Sequence, residues 1–216
     1  MIYDFVKRVM DIALSIILII LFSPVMLVSA IIIKLTSPGP VLVEKKNVHM
    51  QRIGKDGEIF RLYKFRSMPV NADYILTKDP RFKKLYSEYK ESSFKLHEDP
   101  RVTKFGKFIR RYSIDEMPQF FNVLRGEMSL VGPRPYHADE IEEQQKRYPG
   151  TEKYVAQTQT VKPGITGFWQ VMGRSDINFD KRIKMDADYA SKKSLWTDIS
   201  IILQTPFAMI SGRGAV

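Results

Sequence analysis

The longest apolar run in the chain extends from Ile12 to Ile33 and contains no charged residue. As a straight helix it would be about 33 Å long, enough to match the hydrocarbon core of a bilayer. The run therefore predicts a membrane segment. It is longer than the roughly 7–15-residue core of a cleavable signal peptide, and it ends in Lys34-Leu35-Thr36 without a small-x-small cleavage pattern. Ser23-Pro24 falls in its middle, where a proline lacks the N–H of the helical ladder and crowds the preceding turn, so a kink or break is expected there. Lys7 and Arg8 precede the run, and Lys34, Lys45 and Lys46 follow it. Basic residues at both ends do not orient the segment, and these residues alone leave spanning and re-entrant arrangements open.

Thr36-Ser37-Pro38-Gly39-Pro40 cannot continue a helix, which divides the chain into an anchor over 1–40 and a second domain over 41–216. Val41 to Ile53 and Glu58 to Phe65 are rich in β-branched, aliphatic and aromatic residues. With Gly54-Lys55-Asp56-Gly57 between them, they predict a short antiparallel hairpin. Asp79 to Leu96 alternates Phe82, Leu85, Tyr86 and Tyr89 with Arg81, Lys83, Lys84 and Lys90, an amphipathic helix with a basic face suited to an anionic bilayer or to its own domain. Ile114–Leu124 and Ala138–Tyr148 read as further helices. Leu195 to Ile210 is a last apolar stretch, broken at Pro206 and too short to span, with Trp196 at its edge. The expected fold class is α+β and mostly helical: a membrane helix-break-helix, a short β-hairpin and amphipathic interfacial helices.

A net charge of +10 suits an anionic partner: a phosphorylated metabolite, phospholipid headgroups or nucleic acid. The absence of cysteine excludes disulfides and thiolate chemistry, and His49, His97 and His137 form no HxxxH-like cluster, which argues against a zinc enzyme. Helix-turn-helix and aromatic-interleaved RNA-binding signals are missing, so no nucleic-acid partner is expected. A non-enzymatic, membrane-anchored basic scaffold is the remaining binding alternative, and it leaves the stiffened arginine described next unexplained.

The sharpest local feature is Ser113-Ile114-Asp115-Glu116, preceded by Arg110-Arg111 and opening an expected helix. A helix N-terminus favours ionised carboxylates, so Asp115 and Glu116 would be anions ready for attack or for holding a metal. The same residues also spell a capping box, with Ser113 or Asp115 as the N-cap, and this reading stays open. In Gly132-Pro133-Arg134-Pro135 two prolines fix the backbone on either side of one guanidinium, a low-entropy way to present a bidentate phosphate ligand. Lys162-Pro163-Gly164-Ile165-Thr166-Gly167 reads as a type II turn, followed by a second tight approach at Gly173-Arg174. Without a P-loop, GxGxxG or nucleophilic-serine elbow, phosphate transfer at a membrane surface fits this set of features.

These motifs, together with Leu35–Val41, Tyr63-Lys64-Phe65-Arg66-Ser67-Met68, Phe121–Pro135 and Lys162–Arg174, resemble in order those of the bacterial sugar transferases, monotopic polyprenyl-phosphate phosphoglycosyl transferases. The resemblance covers nearly the whole chain. It implies a re-entrant stem breaking at Ser23-Pro24, on the cytoplasmic face of a bacterial inner membrane. By the same resemblance Asp115 is a nucleophile toward a UDP-sugar, releasing UMP, and Glu116 is the ligand of Mg²⁺. Arg110, Arg134 and Arg174 would hold phosphate oxygens, and an undecaprenyl or other polyprenyl phosphate would accept the sugar phosphate. The same transfer by direct attack in a ternary complex is the alternative. The resemblance also implies a lipid environment and leaves room for a homodimer. Because the sequence starts at the stem, it resembles the minimal catalytic form of the family. The 71–100 segment is longer than in the smallest relatives.

Overall fold

The computed structural model describes residues 2–43, 47, 50–91, 96, 99–172 and 177–210. Helix α1, Ile2–Thr36, carries the whole apolar run and continues through Pro24. The expected break is therefore absent from its helical assignment. Pro24 lacks the N–H that would reach the Ile20 carbonyl, and the Ser23 hydroxyl donates to that same carbonyl at 2.9 Å. α1 is long and apolar enough to cross a membrane.

One stripe of α1 rests on the rest of the chain. Asp11, Ser15, Ser29 and Ile33 are buried, and Leu14, Leu18, Ile19, Phe22, Met26 and Ala30 pack partly buried between them, at helical spacing. The opposite side exposes Ile16, Ile17, Ile20, Leu21, Leu27, Val28 and Ile31. Polar contacts fix the first half of the helix. Asp198, fully buried, accepts from Tyr3 and Lys7 at 2.9 Å and from Tyr189 at 2.6 Å. Asp11 accepts from the Ser129 hydroxyl and the Leu130 N–H, and Arg8 donates to the carbonyls of Val123 and Leu124. The second half packs by apolar contact, with Ile33 in a cluster with Phe65, Ile109 and Ile114.

The hairpin forms as expected, with shorter strands: β1 (Gln51–Ile53) and β2 (Ile59–Arg61) pair antiparallel around the Lys55–Gly57 turn. A lone bridge, Leu42 to Phe65, extends the pairing. Next come α2 (Ala72–Lys78), which precedes the amphipathic helix expected over 79–96, and α3 (Lys83–Glu91), which forms its middle after a 3-10 turn at Pro80–Phe82. α4 (Lys104–Arg111) is capped by the Thr103 hydroxyl, which accepts from the Gly106 N–H at 2.9 Å. Gly106 is required here: a Cβ would lie 2.1 Å from the Ser67 carbonyl oxygen.

α5 (Gln119–Arg125) starts later than expected, after a separate 3-10 turn at Ile114–Glu116. β3 (Ser129–Val131) and β4 (Gly164–Thr166) pair in parallel, so the segment read as a type II turn is in part a strand. Between them lie α6 (Ala138–Arg147) and α7 (Glu152–Thr158), and after them α8 (Phe168–Met172) and α9 (Phe179–Lys192). α10 (Leu195–Ile210) runs on through Pro206, where a break was expected. The main core joins Phe60, Leu62, Phe120, Val123, Met128 and Val131 to Tyr189 and Ile201, with α1 laid across it. The fold is mostly helical with two small sheets, as the α+β expectation requires.

Candidate active site

Ser113 adopts a left-handed backbone with φ of 55° and makes no side-chain capping bond. The capping-box reading of Ser113 and Glu116 therefore fails. This conformation is costly for a residue with a Cβ, and it turns the chain sharply from α4 into the 3-10 turn that carries the carboxylates. Ile114 anchors the turn in the cluster with Ile33 and Phe65, and the Phe65 N–H donates to the Asp115 carbonyl at 2.9 Å. That bond brings Lys64 alongside. Its Nζ lies 2.8 Å from Asp115 Oδ2 and 3.2 Å from Glu116 Oε1.

The two carboxylates differ in environment: Asp115 is 2 % exposed, while the Glu116 side chain is 39 % exposed. Burial pushes the Asp115 carboxyl above its ordinary range, with Glu116 adding to the rise, against the pull of Lys64 and Arg110. The cause expected from the sequence, a helix N-terminus favouring the ionised form, does not operate, since no α-helix begins there; the Lys64 ammonium takes that part. Burial works against the Lys64 ammonium too, yet Asp115 and Glu116 together hold its pKa above the usual lysine value. The contact is a charge pair, and Asp115 Oδ2 has no hydrogen-bond partner among the described residues.

Asp115 and Glu116 line a cavity of about 630 Å³ together with Lys64, Arg52, Arg66, Arg110 and Arg134. The structure thus brings four of the five proposed chemical residues into one space. Arg174 and Gly173 lie outside the described residues, as do His49 and His97. Arg110 enters from the end of α4, its Nε donating to the Ser67 hydroxyl at 2.9 Å. Arg134 enters from the loop after β3. A close backbone approach locks that loop, with Gly132 N donating to Thr166 O and Gly164 N donating to Pro133 O. A Cβ on Gly164 would meet Gly132 N at 2.1 Å. The Arg134 guanidinium lies 5.7 Å from the centre of the Tyr136 ring and 6.0 Å from that of Trp169. Asn71, Tyr74, Tyr89 and Arg101, from the segment whose role the sequence left open, form another wall of the cavity.

Several functional residues went unassigned in the sequence. Lys64 and Arg66 both reach the cavity while Phe65 between them enters the core, an alternation of period two that was legible in Tyr63–Met68. Arg52 is buried, with Nη1 2.6 Å from His137 Nδ1, and burial beside Arg134 lowers its pKa to about 10. Asp186, Trp169 and Arg182, behind Arg134, carry no local sequence signal.

For Mg²⁺ the donor set fits. No group of three or more metal-ligating side chains exists among the described residues, but this ion is commonly held by one or two carboxylates completed by substrate phosphates and water. Asp115 and Glu116 supply such a pair, their carboxylate oxygens both within 3.2 Å of Lys64 Nζ.

A sequence model of the bacterial sugar transferases matches residues 2–212. The chain belongs to the bacterial sugar transferase family. Among curated members, galactosyl transferase CpsE of Streptococcus agalactiae is 49% identical over 165 residues, covering 76% of this chain and 34% of that protein. The undecaprenyl-phosphate galactose phosphotransferase of Salmonella typhimurium is 41% identical over 211 residues, covering 98% of this chain and 42% of its own length. The UDP-glucose:undecaprenyl-phosphate glucose-1-phosphate transferase of Escherichia coli is 40% identical over 215 residues, with 97% and 41% covered. The chain thus spans less than half the length of these three sugar transferases, and their names differ in the sugar.

Proposed function

We propose that this chain transfers a sugar 1-phosphate from a UDP-sugar to undecaprenyl or a similar polyprenyl phosphate, as the first membrane step of glycan assembly. One observation carries the reading: a buried aspartate, a half-exposed glutamate and the guanidinium groups of Arg110 and Arg134 share one cavity beside an apolar helix. In the first step a carboxylate oxygen of Asp115 attacks the sugar-linked phosphorus. The bond from that phosphorus to the bridging oxygen breaks, and UMP leaves with the electron pair. In the second step an oxygen of the carrier phosphate attacks the same phosphorus, the bond to Asp115 breaks, and the carboxylate is regenerated. Arg110 and Arg134, joined by Arg174, hold non-bridging oxygens. Glu116, with Asp115 beside it, would hold Mg²⁺, which would supply charge neutralisation between anionic nucleophile and diphosphate.

The burial of Asp115 favours a second reading, in which the carrier attacks directly and Asp115 only ligates the metal. Quenching purified protein with radiolabelled UDP-sugar separates the two. A phosphosugar on Asp115, lost in Asp115→Asn, supports the covalent route; complete turnover without any trapped species refutes it. UMP release across a panel of UDP-sugars names the donor.

For the stem, the reading is a re-entrant anchor that bends at Ser23-Pro24 once seated in lipid, although α1 is continuous in the structure, with both ends on the cytoplasmic face of the inner membrane. Its support is that the same domain grips Tyr3, Lys7 and Asp11 near one end of α1 and packs on Ile33 near the other. A straight spanning helix of this length would separate those points by a bilayer. The chain has no cysteine, so single cysteines introduced at Met1 and Val216 report topology cleanly. Labelling of either one by an impermeant external reagent overturns the re-entrant reading.

A further inference from the structure

Arg134 is fixed from behind by a buried polar cluster that the chemistry above does not use. Asp186 on α9 is 1 % exposed, and its Oδ2 accepts the backbone N–H of Arg134 at 3.1 Å. An ion pair would have engaged the guanidinium; this bond engages the main chain instead and leaves the guanidinium to face the cavity. One helical turn earlier, the Arg182 guanidinium lies 5.2 Å from the Trp169 ring centre, so both Arg134 and Arg182 stack near the same buried indole. Asp186 Oδ1, Arg182 Nε, Trp169 Nε1 and Tyr136 Oη have no hydrogen-bond partners among the described residues. A buried carboxylate is costly in such surroundings, and burial raises the Asp186 pKa to about 7.

We propose that Asp186 is a positioning residue for phosphate binding: it holds the Gly132–Pro135 loop through the Arg134 main chain, and with Trp169 and Arg182 it sets the direction of the Arg134 guanidinium. The inference rests on reading Arg134 as a phosphate ligand. The prolines flanking Arg134 restrict the loop but do not aim it; β4 holds one edge through Thr166 and Gly164, and Asp186 holds the other.

The test is a double-mutant cycle on UMP release by the full chain in lipid discs, with donor KM and kcat measured separately. Asp186→Asn keeps an acceptor oxygen and is expected to stay within about threefold of wild type. Asp186→Leu, which matches the branching of aspartate though it is bulkier, removes the acceptor and is expected to lose about 30- to 100-fold in kcat/KM through misplacement of the guanidinium, mostly as a raised donor KM. In an Arg134→Ala background the leucine substitution is expected to cost nothing further. Asp186→Ser, too short to reach the loop, takes its place in the cycle if the leucine variant does not fold. Losses that multiply in the double variant overturn the proposal, as does a folded leucine variant with wild-type kinetics. A loss in Asp186→Asn as large as in Arg134→Ala overturns it too. If Arg134→Ala itself leaves donor KM and kcat unchanged, the phosphate-ligand reading fails first.

Discussion

The seam between α1 and the rest of the chain and the cavity around Asp115 both bury charge, but they treat it differently. In the seam, Asp198 has three donors and Asp11 has two, all within 3.1 Å. At the cavity, Asp115 Oδ2 meets only the Lys64 ammonium, at 2.8 Å, and among the described residues Arg134 Nε and, behind it, Asp186 Oδ1 lack hydrogen-bond partners. A satisfied buried charge specifies how two pieces fit. An unsatisfied one stores interaction capacity for a ligand, and it tolerates its burial only because the surrounding fold holds it there. Substitutions in the cavity should therefore silence the protein without unfolding it, and substitutions in the seam should do the reverse.

The largest contrast is expected from Asp115→Asn, with UMP release falling on the order of a thousandfold or more and thermal unfolding no earlier than in wild type. An early melt would place Asp115 among the structural charges. Asp198→Ala should act oppositely. Stranding Tyr3, Lys7 and Tyr189 is expected to remove about 3–5 kcal/mol of stability, read by denaturant unfolding in micelles, while turnover per folded molecule is kept.

Asp186→Asn separates the two regions by pH. The folded-state pKa of Asp186 is raised to about 7, so the folded protein retains a proton that the unfolded chain releases, and stability falls as pH climbs from the ordinary aspartate range toward 7. Between pH 5 and pH 8 the asparagine variant should escape a decline on the order of 2 kcal/mol; parallel stability curves for the two proteins would contradict this. Lys64→Met is the subtlest. Removing the ammonium should move the acid limb of the kcat/KM profile to higher pH, because Asp115 loses the main group that opposes its burial. An unmoved limb would mean that Lys64 does not govern the Asp115 charge.

What the sequence disclosed and what it withheld follows from the range of each interaction. Asp115, Glu116 and the proline-locked Arg134 were legible because their signals are local: adjacent carboxylates after paired arginines, and fixed φ on both sides of a guanidinium. The hairpin was legible from Gly54 and Gly57, although its strands came out at three residues each. The Ser113 capping box was a false signal, since the residue that would cap a helix bends the chain left-handed instead. Proline at 24 was visible, but a long apolar helix tolerates a proline that its surroundings accommodate, and no local pattern encodes that outcome. Asp186 stands 52 positions from Arg134, and no periodicity connects them.

Arg66 ties these regions together. Its guanidinium holds the carbonyls of Ser37 and Pro38, where the chain leaves α1. Its neighbour Ser67 receives Arg110 Nε, and Phe65 on the other side donates to the Asp115 carbonyl. From the end of α1 to Asp115 the main chain is tied at successive points, so in the proposed membrane seating the height of Asp115 above the lipid would be a built-in dimension of the molecule. Under the proposed transfer a carrier would then be selected by the depth at which its phosphate floats as well as by its chemistry, and thinning or thickening the bilayer would detune the reaction without touching a single residue of the cavity.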